Sequence, residues 1–199
     1  MHATRAHVRA IQWAEQYGLE EGPLRHDARQ FFDTALALEP TNSAVLATLA
    51  NTTLILEKNL ELSSELSERA ISLNPSNPFA WWVKSASELY LKKYADAHQN
   101  AVRASDLLGP GPLKFWWDQQ KGLTTAIAGS LDEAIADLQR THASAPSFRP
   151  ILRVLISLYA ASGNVEGVAE MAAKLRELES NFSTDRIVLD EAYPAALVS

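Results

Sequence analysis

Apolar and small residues return along the chain at helical spacing between short polar turns, and no stretch alternates apolar with polar residues in twos for long. The run Ala28-xxx-Phe32-xx-Ala35-xxxx-Pro40 puts small, bulky, small and Pro at fixed offsets, and the order comes back. Ala70 to Pro75 repeats Ala35 to Pro40, and Tyr94-Ala-Asp-Ala97 continues through Ala101 and Ala104 to Gly109-Pro110. Gly129 to Ala134 is followed by Leu138, Thr141 and Pro146, and Gly163 to Val168 by Ala172, Leu175 and Ser180. The terminal slots fall at 40, 75, 109, 146 and 180, at intervals of 35, 34, 37 and 34. Such a pattern predicts antiparallel helix pairs, each stopped where a proline removes a backbone donor and pushes the preceding residue out of the helical region.

A period of about 34 with small residues at these offsets resembles the tetratricopeptide repeat. In that family small residues occupy the eighth, twentieth and twenty-seventh positions, where the two helices of a unit cross closely. Here those slots hold Ala50, Ser63 and Ala70, then Ser85, Ala97 and Ala104, then Gly122, Ala134 and Thr141. Trp81 matches the family's fourth-position Trp, Tyr94 the Tyr before the second helix, and Tyr159 the eleventh-position Tyr. The resemblance implies an all-α, right-handed superhelix of about five helix-turn-helix units. They form a single domain over 1–199, with units at 6–41, 43–76, 78–110, 112–146 and 149–181. In the last unit Ile156, Val168 and Leu175 replace the small residues, so its helices are expected to lie further apart or cross differently. Gly18 to Pro23 reads as an enlarged loop after a first helix around Val8 to Tyr17, and Pro110-Gly111-Pro112 as a bend between units. Ser183 is placed to cap a short closing helix within 183–192.

Charge and composition narrow the chemistry. With 18 Lys+Arg against 24 Asp+Glu the formal charge is −6, and the cations are scattered, which disfavours direct nucleic-acid binding. No window is long and apolar enough for a membrane span or a signal peptide, so no membrane partner is expected. The chain has no cysteine, which removes disulfides, thiolate metal sites and a Cys nucleophile and makes the cytoplasm the default compartment. Histidines 2, 7, 26, 98 and 142 form neither an H-x3-H pair nor HExxH, and the phosphate-loop, dinucleotide and nucleophile-elbow patterns are absent. The acid pairs Glu20-Glu21 and Asp132-Glu133 fall at helix starts, where the dipole favours negative charge. No enzyme, metal or cofactor is expected.

What the resemblance implies instead is a concave binding surface lined by the first helix of each unit. Carried over position by position, the lining comprises Asn51 and Ile55, then Phe79, Trp82 and Tyr90, then Trp116, Gln119 and Leu123, with Arg153 from the last unit. The surface is apolar and aromatic, suited to a peptide or helix of a partner protein. Asn51 fits the family's clamp for a peptide's terminal carboxylate, but Ala47, Phe79 and Val83 stand where that clamp would need Lys or Arg, so a clamp of that kind is not expected. Trp82 and Trp116 serve either as partner-binding anchors or as buried packing, whereas Trp81 and Trp117 are expected in the core. Self-association into a homodimer is the alternative use of the same rings. The stretch Gly122 to Ile187 also resembles the C-terminal repeat regions of bacterial adenylate cyclases and of winged-helix transcriptional regulators. That resemblance implies a fragment or free-standing relative of a signalling protein, without the catalytic or DNA-binding domain.

Overall fold

The computed structural model of the chain describes residues 1–6, 8 and 21–179. The closing helix expected within 183–192 and most of the first helix expected over Val8 to Tyr17 lie outside these residues. The described structure is all-helical. Residues 2–6 are helical, and after them come α1 (Glu21–Leu38), α2 (Ser43–Leu56), α3 (Leu60–Leu73), α4 (Pro78–Tyr90) and α5 (Tyr94–Leu108). They continue with α6 (Lys114–Ile127), α7 (Leu131–Ser144), α8 (Arg149–Ala161) and α9 (Val165–Leu178). From α2 onward the helices pair as the repeat pattern predicts: α2 with α3, α4 with α5, α6 with α7, and α8 with α9. The chain divides into two compact units, Met1–Leu108 and Gly109–Ser199, with the break at the Gly109 to Pro112 run.

One expected loop is partly helix. α1 starts at Glu21, so Gly22 and Pro23 belong to its first turn. A proline is tolerated there because the first-turn amides have no intrahelical acceptor to lose.

In the first unit, local signals start the helices. Asn42, Asn59 and Asn77 cap α2, α3 and α4, their side-chain oxygens accepting from the amides of Ala44, Leu62 and Phe79 at 3.0, 3.0 and 3.1 Å. Pro78 follows at the first helical position of α4, where its fixed φ suits the turn. Phe32, Leu46, Leu49, Leu66, Ala80 and Val83 form the core, joined by Ala3 and Ala6 from the helical residues 2–6. At the close crossings the small side chains also carry hydrogen bonds. Ser63 Oγ donates to Ala50 O at 2.8 Å and lies 2.8 Å from Ser87 Oγ, while Ser85 Oγ donates to Ala97 O at 2.7 Å.

In the second unit α6 meets α7 at Gly122, where an added Cβ would lie 2.6 Å from Leu138 Cγ. The fifth helix pair departs from the sequence reading. Val168 does not occupy the tight slot; Gly167 does, one residue earlier, and a Cβ there would lie 2.8 Å from the Tyr159 ring. The large Ile156 and Leu175 are accommodated as buried side chains, because the small residue has moved to where the Tyr159 ring needs room. Gln139 Nε2 holds that Tyr159 hydroxyl at 2.6 Å.

The turn inside each described pair passes through a left-handed residue: Lys58 (φ 51°), Lys92 (φ 61°), Gly129 (φ 106°) and Gly163 (φ 74°). A side chain in this region crowds its own backbone, which glycine avoids. Lys58→Gly and Lys92→Gly are therefore expected to stabilise the protein by about 0.5–1 kcal/mol each after the flexibility of glycine in the unfolded chain is allowed for. Urea unfolding of the single and double variants measures this, and the two gains should add.

Candidate functional site

The nine side chains assigned to the concave lining sit at different depths. In the first unit Asn51 is buried at 3 % exposure, while Ile55, Phe79, Trp82 and Tyr90 are half-buried. Phe79 and Trp82 are three residues apart on α4, which sets them on one face. Their rings stack with centroids 5.8 Å apart at 16° and pack on the core. Ile55 belongs with a different small cluster, beside Ala28 and Leu56 at the α1 side.

In the second unit Trp116, Gln119 and Arg153 are half-buried and Leu123 is buried at 5 % exposure. Trp116 packs against Phe148, the residue before α8, at 5.2 Å, and Phe115 meets the same ring edge-on at 4.8 Å. Arg153 forms an ion pair with Glu179 at 2.7 Å, the two side chains being 17 % and 13 % exposed. Trp81 and Trp117, expected in the core, are half-buried instead. The indole N–H of Trp81 donates to Pro75 O at 2.8 Å, a bond that keeps the polar edge of the ring at the turn.

The sequence reading missed a buried charge cluster in the first unit. Glu88 stands at the eleventh position of its repeat, where Tyr159 stands in the last, and is 6 % exposed. It accepts from Asn100 Nδ2, and the Lys84 ammonium lies 3.6 Å away. Lys84 also donates to Ser64 Oγ at 2.9 Å and pairs with Glu68 at 3.1 Å, so α3, α4 and α5 all contribute. Burial pushes the Glu88 carboxyl above the usual range; the Asn100 hydrogen bond and Lys84 oppose this and do not cancel it. An acid in a helix interior gave only a weak signal, since Lys84 lies on its own helix four residues earlier but Asn100 comes from α5. Burial likewise lowers the His142 imidazole on α7, with Lys174 adding to the effect.

Two clefts also went unread. One of ≈ 380 Å³ lies between α1 and α2, lined by Phe32, Thr53 and Leu56 with Arg29 and Glu57 at its edge. The other, ≈ 300 Å³, lies between α6 and α7 and is polar, with Lys114, Asp118, Lys121, Asp137 and Arg140 around it. Among the described residues no group of three or more His, Asp or Glu is arranged to hold a metal ion, and no helix is long and apolar enough to cross a membrane.

No protein-family model matches the chain, and no curated protein matches it in sequence. Solved structures do match its fold. A thermophilic TPR protein of Thermus thermophilus aligns over 98 % of this chain and 100 % of its own, at 21 % identity and a TM-score of 0.71. PilW, a widely conserved type IV pilus biogenesis factor, aligns over 97 % of this chain and 89 % of its own, at 20 % identity and a TM-score of 0.70. YrrB, described as a TPR protein with an unusual peptide-binding site, aligns over 90 % and 88 %, at 19 % identity and a TM-score of 0.58. At these identities the likeness is one of architecture: the chain is built of tetratricopeptide-like helix pairs.

Proposed function

We propose that the chain is a non-catalytic scaffold that holds a peptide or helix of a partner protein against half-buried aromatic side chains. The observation that carries this reading is the Phe79–Trp82 stack. Two large rings lie nearly parallel on the core of the first unit, and both remain partly open. Rings held rigid in this way offer apolar contact area at little entropic cost, the usual character of an interface anchor. On the second unit Trp116 offers a similar ring, and Gln119, three residues on along α6, an amide that can bond a ligand backbone. YrrB, which shares the fold, supports a peptide-binding use by analogy. A role in a larger bacterial signalling protein is the finer reading, supported by the resemblance of Gly122 to Ile187 to cyclase and regulator repeats.

The same open rings favour self-association as the second reading. Peptides selected by phage display against the whole chain separate the two. Trp82→Ala with Trp116→Ala is expected to weaken the selected peptides at least tenfold, with the helical circular dichroism spectrum retained. If no peptide is enriched and sedimentation shows a dimer that the double variant dissociates, self-assembly replaces the scaffold reading.

A further inference from the structure

We infer that the cleft between α1 and α2 is a binding site for a small, neutral, mainly apolar molecule carrying one hydrogen-bonding oxygen, and that the Thr53 hydroxyl is its anchor. The site makes no use of the Phe79–Trp82 stack and stands apart from the scaffold reading. Thr53 breaks a regular pattern. Seven threonines lie in α1–α9. Six of them, Thr34, Thr48, Thr52, Thr124, Thr125 and Thr141, donate their hydroxyl to the carbonyl oxygen four residues earlier, at 2.8–3.1 Å. Thr53 does not: the residue is 1 % exposed, and its Oγ1 is shut off from water with no hydrogen-bond partner. A hydroxyl left unmet in the interior costs stability, and the local bond that would meet it is the one the other six use.

Thr53 stands in the wall of the cleft, whose volume of ≈ 380 Å³ lies in the range of small-molecule sites. The rest of that wall fixes the kind of occupant. Ala28, Phe32 and Leu56 give it an apolar surface. The other polar side chains among the described lining residues already have partners. Arg29 pairs with Glu57, the His26 ring meets the Gln30 amide at 3.0 Å, and Thr52 donates to Thr48 O at 2.9 Å. A charged ligand would find its counter-charge taken. A neutral one meets apolar surface and a single group still able to bond, the usual composition of a small-molecule site. Since no hydrogen bond ties the Thr53 side chain, it can turn between staggered rotamers to present Oγ1 to the ligand.

Phenol and toluene, which differ by a hydroxyl in place of a methyl, are the probes. Each is titrated into the isotope-labelled full chain and its Thr53→Val and Thr53→Ser variants, while the amide resonances of residue 53 and Leu56 are followed by NMR. With phenol both resonances of the parent are expected to shift and saturate. Thr53→Val should weaken phenol by about fivefold and change toluene by less than about twofold, while Thr53→Ser, which keeps the hydroxyl, holds phenol within about twofold of the parent. Thr53→Val should also unfold in urea at no lower concentration than the parent, because it removes an unmet hydroxyl with little change of shape. Absence of a saturable shift at these two amides overturns the inference, as does equal phenol affinity in the parent and Thr53→Val. A marked loss of stability in Thr53→Val overturns it as well, since the hydroxyl would then have its partner inside the chain.

Discussion

Replacing Gly122 by valine is expected to destabilise the protein by about 2–3 kcal/mol, even though glycine is a poor helix former and valine recovers roughly 0.5 kcal/mol of propensity. The cost arises because a Cβ at this position would sit 2.6 and 2.7 Å from Leu138 Cγ and Cδ2, and Leu138 is itself fully buried. The atom in the way is the branch point of the leucine, so a simple rotation of the side-chain end does not clear it, and α6 and α7 must move apart. For a unit of this size the loss corresponds to a fall in the unfolding midpoint of roughly 8–20 °C, read by calorimetry. Adding Leu138→Ala should return much of that loss, because the space removed by one change is restored by the other. A double-mutant cycle should give a coupling of about 1–2 kcal/mol. If Gly122→Val unfolds at the parent temperature, the close crossing of these helices is softer than the contacts require.

Glu88 provides the second large effect, and here the two substitutions should diverge. Glu88→Ala leaves Lys84, 14 % exposed, with only the exposed Glu68 as its ionic partner and deprives Asn100 of its acceptor; a loss of about 2–3 kcal/mol is expected. Glu88→Gln keeps the shape and an acceptor for Asn100 while removing the buried charge. Because the folded carboxyl titrates above its unfolded value, the environment favours the neutral form, and the glutamine variant should be at least as stable as the parent at neutral pH. The sign of the pH dependence follows. Between the unfolded and the raised folded value the native state binds more protons, so stability contributed by Glu88 grows as the pH falls through that window and declines as it rises. The parent should therefore gain on Glu88→Gln as the solution is acidified, measured by urea midpoints at a series of pH values. A constant difference between the two would mean that Glu88 is ionised as easily as a carboxylate in water.

The helix pairs could be read from the residues because their cause is local. Ala50, Ser63, Ala97 and Gly122 are small where two backbones approach, and that requirement recurs at a fixed count along the chain. The count failed in the last pair, where the tight slot is set by the ring of Tyr159 and not by distance from Gly163, so Gly167 fills it. The run Gly18 to Pro23 is too long for the family's tight turn and so predicts an enlarged loop, yet helix already begins at Glu21, and a proline in a first turn breaks nothing. The candidate surface was legible only as a set of positions. That Phe79 and Trp82 share a helix face follows from their spacing, but the stacking of their rings depends on the core beneath them. The pairing of Arg153 with Glu179 joins residues 26 apart in the sequence across a helix end, and no periodic pattern marks it. The burial of Glu88 was hidden for a related reason: Lys84 stands four residues earlier on the same helix, but Asn100 of α5 and the α3 partners of Lys84, Ser64 and Glu68, are brought to it only by packing.

The left-handed turn residues keep time along the chain at 58, 92, 129 and 163, steps of 34, 37 and 34. The three extra residues enter in the long step, where the Gly109 to Pro112 run lies between helices. A length change inside a helix would rotate every later side chain by about 100° and turn its small residues away from the crossing. Whole pairs, or residues inserted between pairs, leave each crossing as it was. Evolution of this architecture is therefore quantised: it lengthens by duplicating a complete pair or by padding a joint, and point insertions within a helix are the events that selection removes.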